Sequence, residues 1–306
     1  MHLTLLLMND IIIVGEYNLV TQYQLDNLML LEKEIRMTPF IKWAGGKRQL
    51  LGRINELLPN SFNNYYEPFI GGGAVLFNIR PTNSFINDIN NALINTYIQI
   101  RDNHIELINL LKVLDKKVAL YQKEFYYEAR IEYNKLLKNN IYSVETAAYF
   151  IFLNKHGFNG LYRVNKKGEF NVPYNNSTRP SADYDIFEGI SDFLKGINIT
   201  CGDFEPACEN VKENDFVFFD SPYAPVKSDS FEAYTKEGFS KENHERLASL
   251  YRKLDRNGVK CMLTNHNTEL INQLYDGFEI TVVPVKRMIN CDATNRVGEE
   301  VIVTNY

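Results

Sequence analysis

The feature that most limits the folds open to this chain is a glycine turn between a strand and a helix. Tyr65-Tyr66-Glu67-Pro68-Phe69-Ile70 reads as a strand end, Gly71-Gly72-Gly73 as a tight turn, and Ala74-Val75-Leu76-Phe77 as a helix start. Glycines there permit positive φ and let a ligand approach the backbone closely. About twenty residues on, Ser84-Phe85-Ile86-Asn87-Asp88 is a second short strand ending in an acid, placed to accept hydrogen bonds from ribose hydroxyls. The turn is not G-x-G-x-x-G, so a nucleoside is indicated and a nicotinamide dinucleotide disfavoured. A plain tight turn is the structural alternative.

The α/β pattern is then interrupted. From about Asn91 to Asn139 the chain is helical in character, with Leu107, Leu110, Leu111 and Leu114 at helical spacing, and Thr146 to Leu153 continues as an apolar helix. Asn154 to Pro180 is rich in Asn, Gly, Lys, Arg and aromatics, a long irregular stretch of the kind that tends to be functional. Strand candidates return at Asn198–Cys201, Phe216–Phe219, Val259–Leu263 and Val301–Thr304. The expected architecture is a doubly wound, mixed α/β sheet flanked by helices. Its core spans 37–98 and 190–306, with a mostly helical insertion at 99–189. Residues 1–36 read as a poorly specified extension with Met37 a plausible start; their short apolar runs make neither a membrane span nor a signal peptide.

Phe216-Val217-Phe218-Phe219 delivers Asp220-Ser221-Pro222-Tyr223 at a strand's carboxyl end, the edge where open α/β sheets bind ligands. An adenine amino group is a poor nucleophile because its lone pair is delocalised into the ring. Acceptors facing its two hydrogens stabilise the positive charge that develops during attack, and Asp220 and the Ser221 carbonyl supply two. Tyr223 can stack on a base turned out of a duplex. Asp, Ser and Pro are also ordinary turn formers, so the motif alone leaves both readings open. The net charge of −5 argues against a nucleic-acid partner, although a basic groove can coexist with an acidic remainder. Four cysteines without a C-x-x-C pair give no zinc signature, and no metal is expected.

With these motifs in view, residues 38–306 resemble the Dam family of N6-adenine DNA methyltransferases. The resemblance is carried in order by Pro39-Phe40-Ile41-Lys42-Trp43-Ala44-Gly45-Gly46-Lys47, the Glu67–Gly73 turn, Asn87-Asp88-Ile89-Asn90 and Leu153–Arg163. Gly168-Glu169-Phe170-Asn171-Val172-Pro173, Asp220–Tyr223 and Glu300–Tyr306 complete it. It implies a Rossmann-like core that binds S-adenosyl-L-methionine, with Trp43 and Lys47 closing over the cofactor and Lys47 meeting its carboxylate. Glu67, Phe69 and the Gly71–Gly73 backbone would lie against it, Asp88 would hold the ribose, and Asp203-Phe204 would flank the adenine. Asp220, Ser221, Pro222 and Tyr223 would form the catalytic motif. The insertion would be the target-recognition domain. There Arg163 would read a guanine, Phe158 would wedge into the stack beside Asn159, and Leu161 and Pro173 would touch a thymine methyl. Lys155, Lys166, Lys167 and Arg179 would meet phosphates. GATC is the implied site, double-stranded DNA the partner and restriction–modification one setting. No membrane or obligatory protein partner is implied; a cytoplasmic monomer in a bacterial or phage-infected cell is expected.

The chain departs from the family at Ser221, where proline is usual. Serine keeps the carbonyl but gives up proline's fixed φ, which makes a catalytically impaired DNA-binding protein the second reading. A methyltransferase of RNA or protein fits the Arg163 stretch less well, because double-stranded RNA hides its major-groove edges. His156 and His266 are lone histidines with no partner carboxylate in a hydrolase-like arrangement; His266 reads as structural or substrate-adjacent.

Overall fold

A computed structural model describes residues 6–8, 11–13, 19–21, 37–43, 45–225, 239–286 and 297–306. Most of the expected extension, Ala44 and Cys291 lie outside those residues. Within the extension, Leu6–Met8, Ile11–Ile13 and Leu19–Thr21 pair antiparallel in a small sheet of their own.

The main sheet has seven strands: β1 (Tyr65–Glu67), β2 (Ser84–Asp88), β3 (Ile197–Cys201), β4 (Phe216–Phe219), β5 (Lys260–His266), β6 (Glu279–Lys286) and β7 (Val297–Thr304). Their order is β3-β2-β1-β4-β5-β7-β6; β1 to β5 run parallel and β7 runs antiparallel to both neighbours. The chain winds outward from β1 through β2 and β3, then returns to lay β4 on the other side of β1. That reversal opens a crevice at the carboxyl ends of β1 and β4. This is the expected doubly wound, mixed α/β core.

Alternation along the central strands divides the core into two layers. Phe216, Phe218, Met262 and Ile302 face one side; Val217, Phe219, Cys261, Leu263, Val301 and Val303 face the other. All four residues of β4 are fully buried, which is why it reads as an unbroken apolar run. Each such side chain contributes about 1.5–3 kcal/mol by leaving water. The edge strand β6 was not foreseen from sequence. Its exposed Val282 and Pro284 suit an edge and spoil the apolar run.

Between β2 and β3 lie α3 (Asn91–Lys138), α4 (Val144–His156) and α5 (Phe187–Leu194), after the shorter α1 (Leu51–Glu56) and α2 (Ala74–Ile79). Non-helical backbone at Asn103 and Gln122 divides α3 into three segments. Leu107, Leu111, Leu114 and Val118 form the buried stripe of the middle one. A capping box between Ser143 and Thr146 starts α4. The remaining helices are α6 (Phe204–Ala207), α7 (Lys241–Arg256) and α8 (Glu269–Leu274). No described helix is long and apolar enough to cross a membrane, and the described cysteines are free thiols.

Candidate active site

The turn after β1 is fixed from below by Asn87, a buried residue of β2. The Ile70 amide donates to the Asn87 carbonyl (2.9 Å), and Asn87 Nδ2 donates to the carbonyls of Pro68 (3.1 Å) and Gly202 (2.9 Å). One side chain therefore holds together the ends of β1, β2 and β3. The Gly71 amide donates to Asp88 Oδ2 (3.1 Å) and the Asn90 amide to Oδ1 (3.0 Å). Burial pushes the Asp88 carboxyl up, and these amides oppose that shift. Gly71 has φ +47°, and a Cβ there would stand 2.7 Å from Trp43 Cδ1. The glycine is thus required by an indole as well as by backbone conformation. Trp43 stacks in turn on Tyr162 (5.6 Å between centroids).

Phe69 and Phe204 meet at 5.3 Å. Asp203 caps α6 through the Glu205 amide (3.0 Å) and pairs with Arg246 (2.9 Å), whose guanidinium lies over Phe204. Ile89, 75% exposed, adjoins Asp88. Phe69, Gly71, Gly73, Asp88, Asp203 and Phe204 so gather at the carboxyl ends of β1, β2 and β3. A carboxylate that accepts from hydroxyls, beside aromatic and aliphatic surface, fits a nucleoside, with hydroxyls at one end and a flat base at the other. Glu67, the last residue of β1, is buried, and Tyr65 donates to its carboxyl (2.8 Å). Burial pushes that carboxyl well up, and the Tyr65 hydrogen bond opposes the shift.

Lys47 lies against the Asp220 motif. Its Nζ lies 2.6 Å from Asp220 Oδ1, donates to the Gly45 carbonyl (2.5 Å) and stands 4.5 Å from the centre of the Tyr223 ring. A buried ammonium needs a counter-charge, and Asp220 is the carboxylate within reach. Thr264, from the parallel neighbour β5, donates to the same Oδ1 (3.0 Å). Burial pushes the Asp220 carboxyl up, against the pull of Lys47 and Thr264. The Tyr223 hydroxyl donates to Glu300 Oε2 on β7 (2.8 Å), and its ring meets His266 edge-on. Asn265, fully buried, accepts from the Ala224 amide (2.8 Å) and donates to Ser221 Oγ (3.4 Å); Ser221 is itself 1% exposed. The loop carrying Ser221 is therefore tied to β5, and the silent DNA-binding reading finds no support. Pro222 is exposed. Thr264, Asn265 and Glu300 were missed as site residues. Their signal is the one that exposed Asp220, an apolar strand turning polar at the sheet's ligand-binding edge.

The irregular stretch after α4 is a loose hairpin bridged at Gly157–Tyr174 and Val164–Phe170. Helix side chains pin it down. Tyr126 donates to the Val172 carbonyl (2.9 Å), Asn134 pairs with the Phe170 backbone, and Asn154 Nδ2 donates to the carbonyls of Lys42 (2.8 Å) and Gly160 (2.9 Å). Phe158, Asn159, Arg163, Lys166, Lys167, Pro173 and Arg179 are exposed on it, and Leu161 is half-buried. Arg163 Nε donates to Asn171 Oδ1 (2.8 Å), which holds its guanidinium across the hairpin. Lys166, Lys167 and Arg179 are cations along the same segment.

A family described as D12 class N6 adenine-specific DNA methyltransferase matches residues 43–289. The chain is 44% identical over 290 residues to the type II methyltransferase M.MjaIII of Methanocaldococcus jannaschii, covering 89% of this chain and 100% of that protein. It is 41% identical over 284 residues to the type II methyltransferase M1.LlaDCHI of Lactococcus lactis subsp. cremoris, covering 91% and 99%. Identity to the DNA adenine methylase of Escherichia coli K12 is 30% over 271 residues, covering 87% and 94%.

Proposed function

The chain belongs to the D12 class of N6 adenine-specific DNA methyltransferases, and on that premise we propose that it methylates an adenine turned out of a GATC duplex, with S-adenosyl-L-methionine as donor. The observation that carries the reading is Asp220, held at the end of β4 with Lys47 and Thr264 both on Oδ1. Both of these contacts fall on Oδ1. Oδ2 and the Ser221 carbonyl would take the two hydrogens of the adenine amino group, turning its lone pair out of the ring. The carboxylate would then stabilise the charge that grows on nitrogen and stand nearest to the proton the methylated amine gives up. Tyr223, oriented by Glu300, would stack on the base.

Phe69, the Gly71–Gly73 backbone, Asp88, Asp203 and Phe204 would hold S-adenosyl-L-methionine, which supplies an electrophilic methyl when bound. Residues 99–189 would form the recognition unit, with Arg163 reading guanine and Phe158 filling the place of the extruded base. Methyl transfer to a GATC duplex and to single-base variants of it tests the proposal. Transfer confined to GATC is expected. Equal transfer to duplexes with the guanine replaced would remove Arg163 as reader, and transfer to single-stranded RNA in preference to duplex DNA would remove the substrate.

A further inference from the structure

Away from Asp220, a second buried group of titratable side chains lies at the foot of the hairpin. His156, the last residue of α4, is fully buried. Its Nδ1 stands 2.8 Å from the Ser177 carbonyl, and its Nε2 stands 3.4 Å from Ser181 Oγ and 3.7 Å from Asp115 Oδ1. The sequence offered this histidine no partner carboxylate; the middle segment of α3 supplies one. Asp115 also accepts from the Ser181 amide (3.0 Å), the Ser181 hydroxyl (2.5 Å) and the Tyr184 hydroxyl. Burial pushes Asp115 up, but His156, Ser181 and Tyr184 outweigh it and hold the carboxyl below its ordinary range.

Serine, histidine and aspartate together invite a hydrolase reading, which the geometry rejects. In a triad the acid orients the histidine through Nδ1. Here Nδ1 faces a carbonyl and the acid binds the serine directly. What the contacts do is grip a strip of backbone at both ends. Ser177 is held by His156 and by the Tyr174 hydroxyl (2.8 Å), and Ser181 and Tyr184 are held by Asp115. Asn175 ties the near end to the carbonyls of Lys155 (2.9 Å) and Gly157 (3.1 Å). Between the grips stand Thr178, Arg179 and Pro180, all exposed. Ordering a free loop costs about 1–2 kcal/mol of backbone entropy per residue; these contacts within the chain offset part of that cost at Ser177 and Ser181.

We propose that His156 and Asp115 form a positioning clasp that presents Arg179 to a phosphodiester of the DNA backbone beside the hairpin. The inference rests on the reading of that hairpin as DNA-facing. The test is duplex affinity of the whole chain, with cofactor, across a salt series. Arg179→Ala should weaken binding roughly three- to tenfold and lower the slope of log affinity against log salt by about one. His156→Ala should reproduce both effects with cofactor affinity unchanged, and the double variant should be no weaker than either single one. Asp115→Asn keeps its volume and should behave as His156→Ala does, which covers the case where the cavity at His156 unfolds the chain. Additive losses, an unchanged slope in His156→Ala and Asp115→Asn, or an Arg179→Ala without effect would each overturn the clasp while wild-type methylation stands. A wild-type chain that neither binds nor methylates any duplex would take down the hairpin reading and the clasp together.

Discussion

Replacing Lys47 with methionine removes the buried counter-charge of Asp220 while keeping the length and apolar character of the side chain. At 2.6 Å, two unit charges attract by about 6 kcal/mol at an effective dielectric of roughly 20, and by about 2 kcal/mol in bulk water. Lys47 is 3% exposed and Asp220 21%, so solvent screens part of the attraction, and about 2–4 kcal/mol is the range to expect. Losing that attraction raises the Asp220 carboxyl further. The working form is the carboxylate, so activity is present above the folded pKa and lost as pH falls through it. Burial already raises that carboxyl, so the wild-type acid limb of kcat should lie above the ordinary carboxylate range. In Lys47→Met it should move to higher pH, with activity recovering as pH rises. The assay is single-turnover methyl transfer against pH at saturating cofactor. An unmoved acid limb together with a raised KM for the cofactor would refute the reasoning, because it would mean that Lys47 serves the cofactor carboxylate instead.

Three further outcomes follow from the geometry. Arg163→Ala should cost about 1–3 kcal/mol in kcat/KM on the preferred duplex and relax discrimination at one base pair, read by competition between duplexes. Gly71→Ala forces a Cβ against Trp43 at positive φ; calorimetry should find a loss of about 1–3 kcal/mol in stability, and titration a weaker cofactor site. Phe158 is 52% exposed; Phe158→Ala should lower kcat about tenfold and reduce the fluorescence rise of 2-aminopurine at the target position, while cofactor affinity stays unchanged.

What was legible in the sequence was whatever local pattern determines. Ser84–Asp88 and Phe216–Phe219 match their strands to the residue, because a short apolar run with an acid after or at its end has one reading in a parallel sheet. The helical run from Asn91 was equally plain, but its breaks at Asn103 and Gln122 were not. Neither position is a glycine or proline, so no residue type marks the breaks. The glycine turn was visible as a turn; that Trp43 fills the space over Gly71 was not. The same limit applies to charge pairs. Lys47 with Asp220 and His156 with Asp115 join residues far apart in the chain, and spacing carries no information about either. Ser221 looked like a loosened loop, yet Asn265, 44 residues later, gives its hydroxyl a buried partner.

The central claim is that Asp220 directs methyl transfer to the N6 amino group of adenine. Its most direct test is nucleoside analysis of a duplex incubated with methyl-labelled S-adenosyl-L-methionine, for the wild-type chain and for Asp220→Asn. The account expects all label in N6-methyldeoxyadenosine with the wild type. In Asp220→Asn the label should fall by about 10²–10³-fold while cofactor and duplex still bind. Label in cytosine, or undiminished transfer by Asp220→Asn, would contradict it.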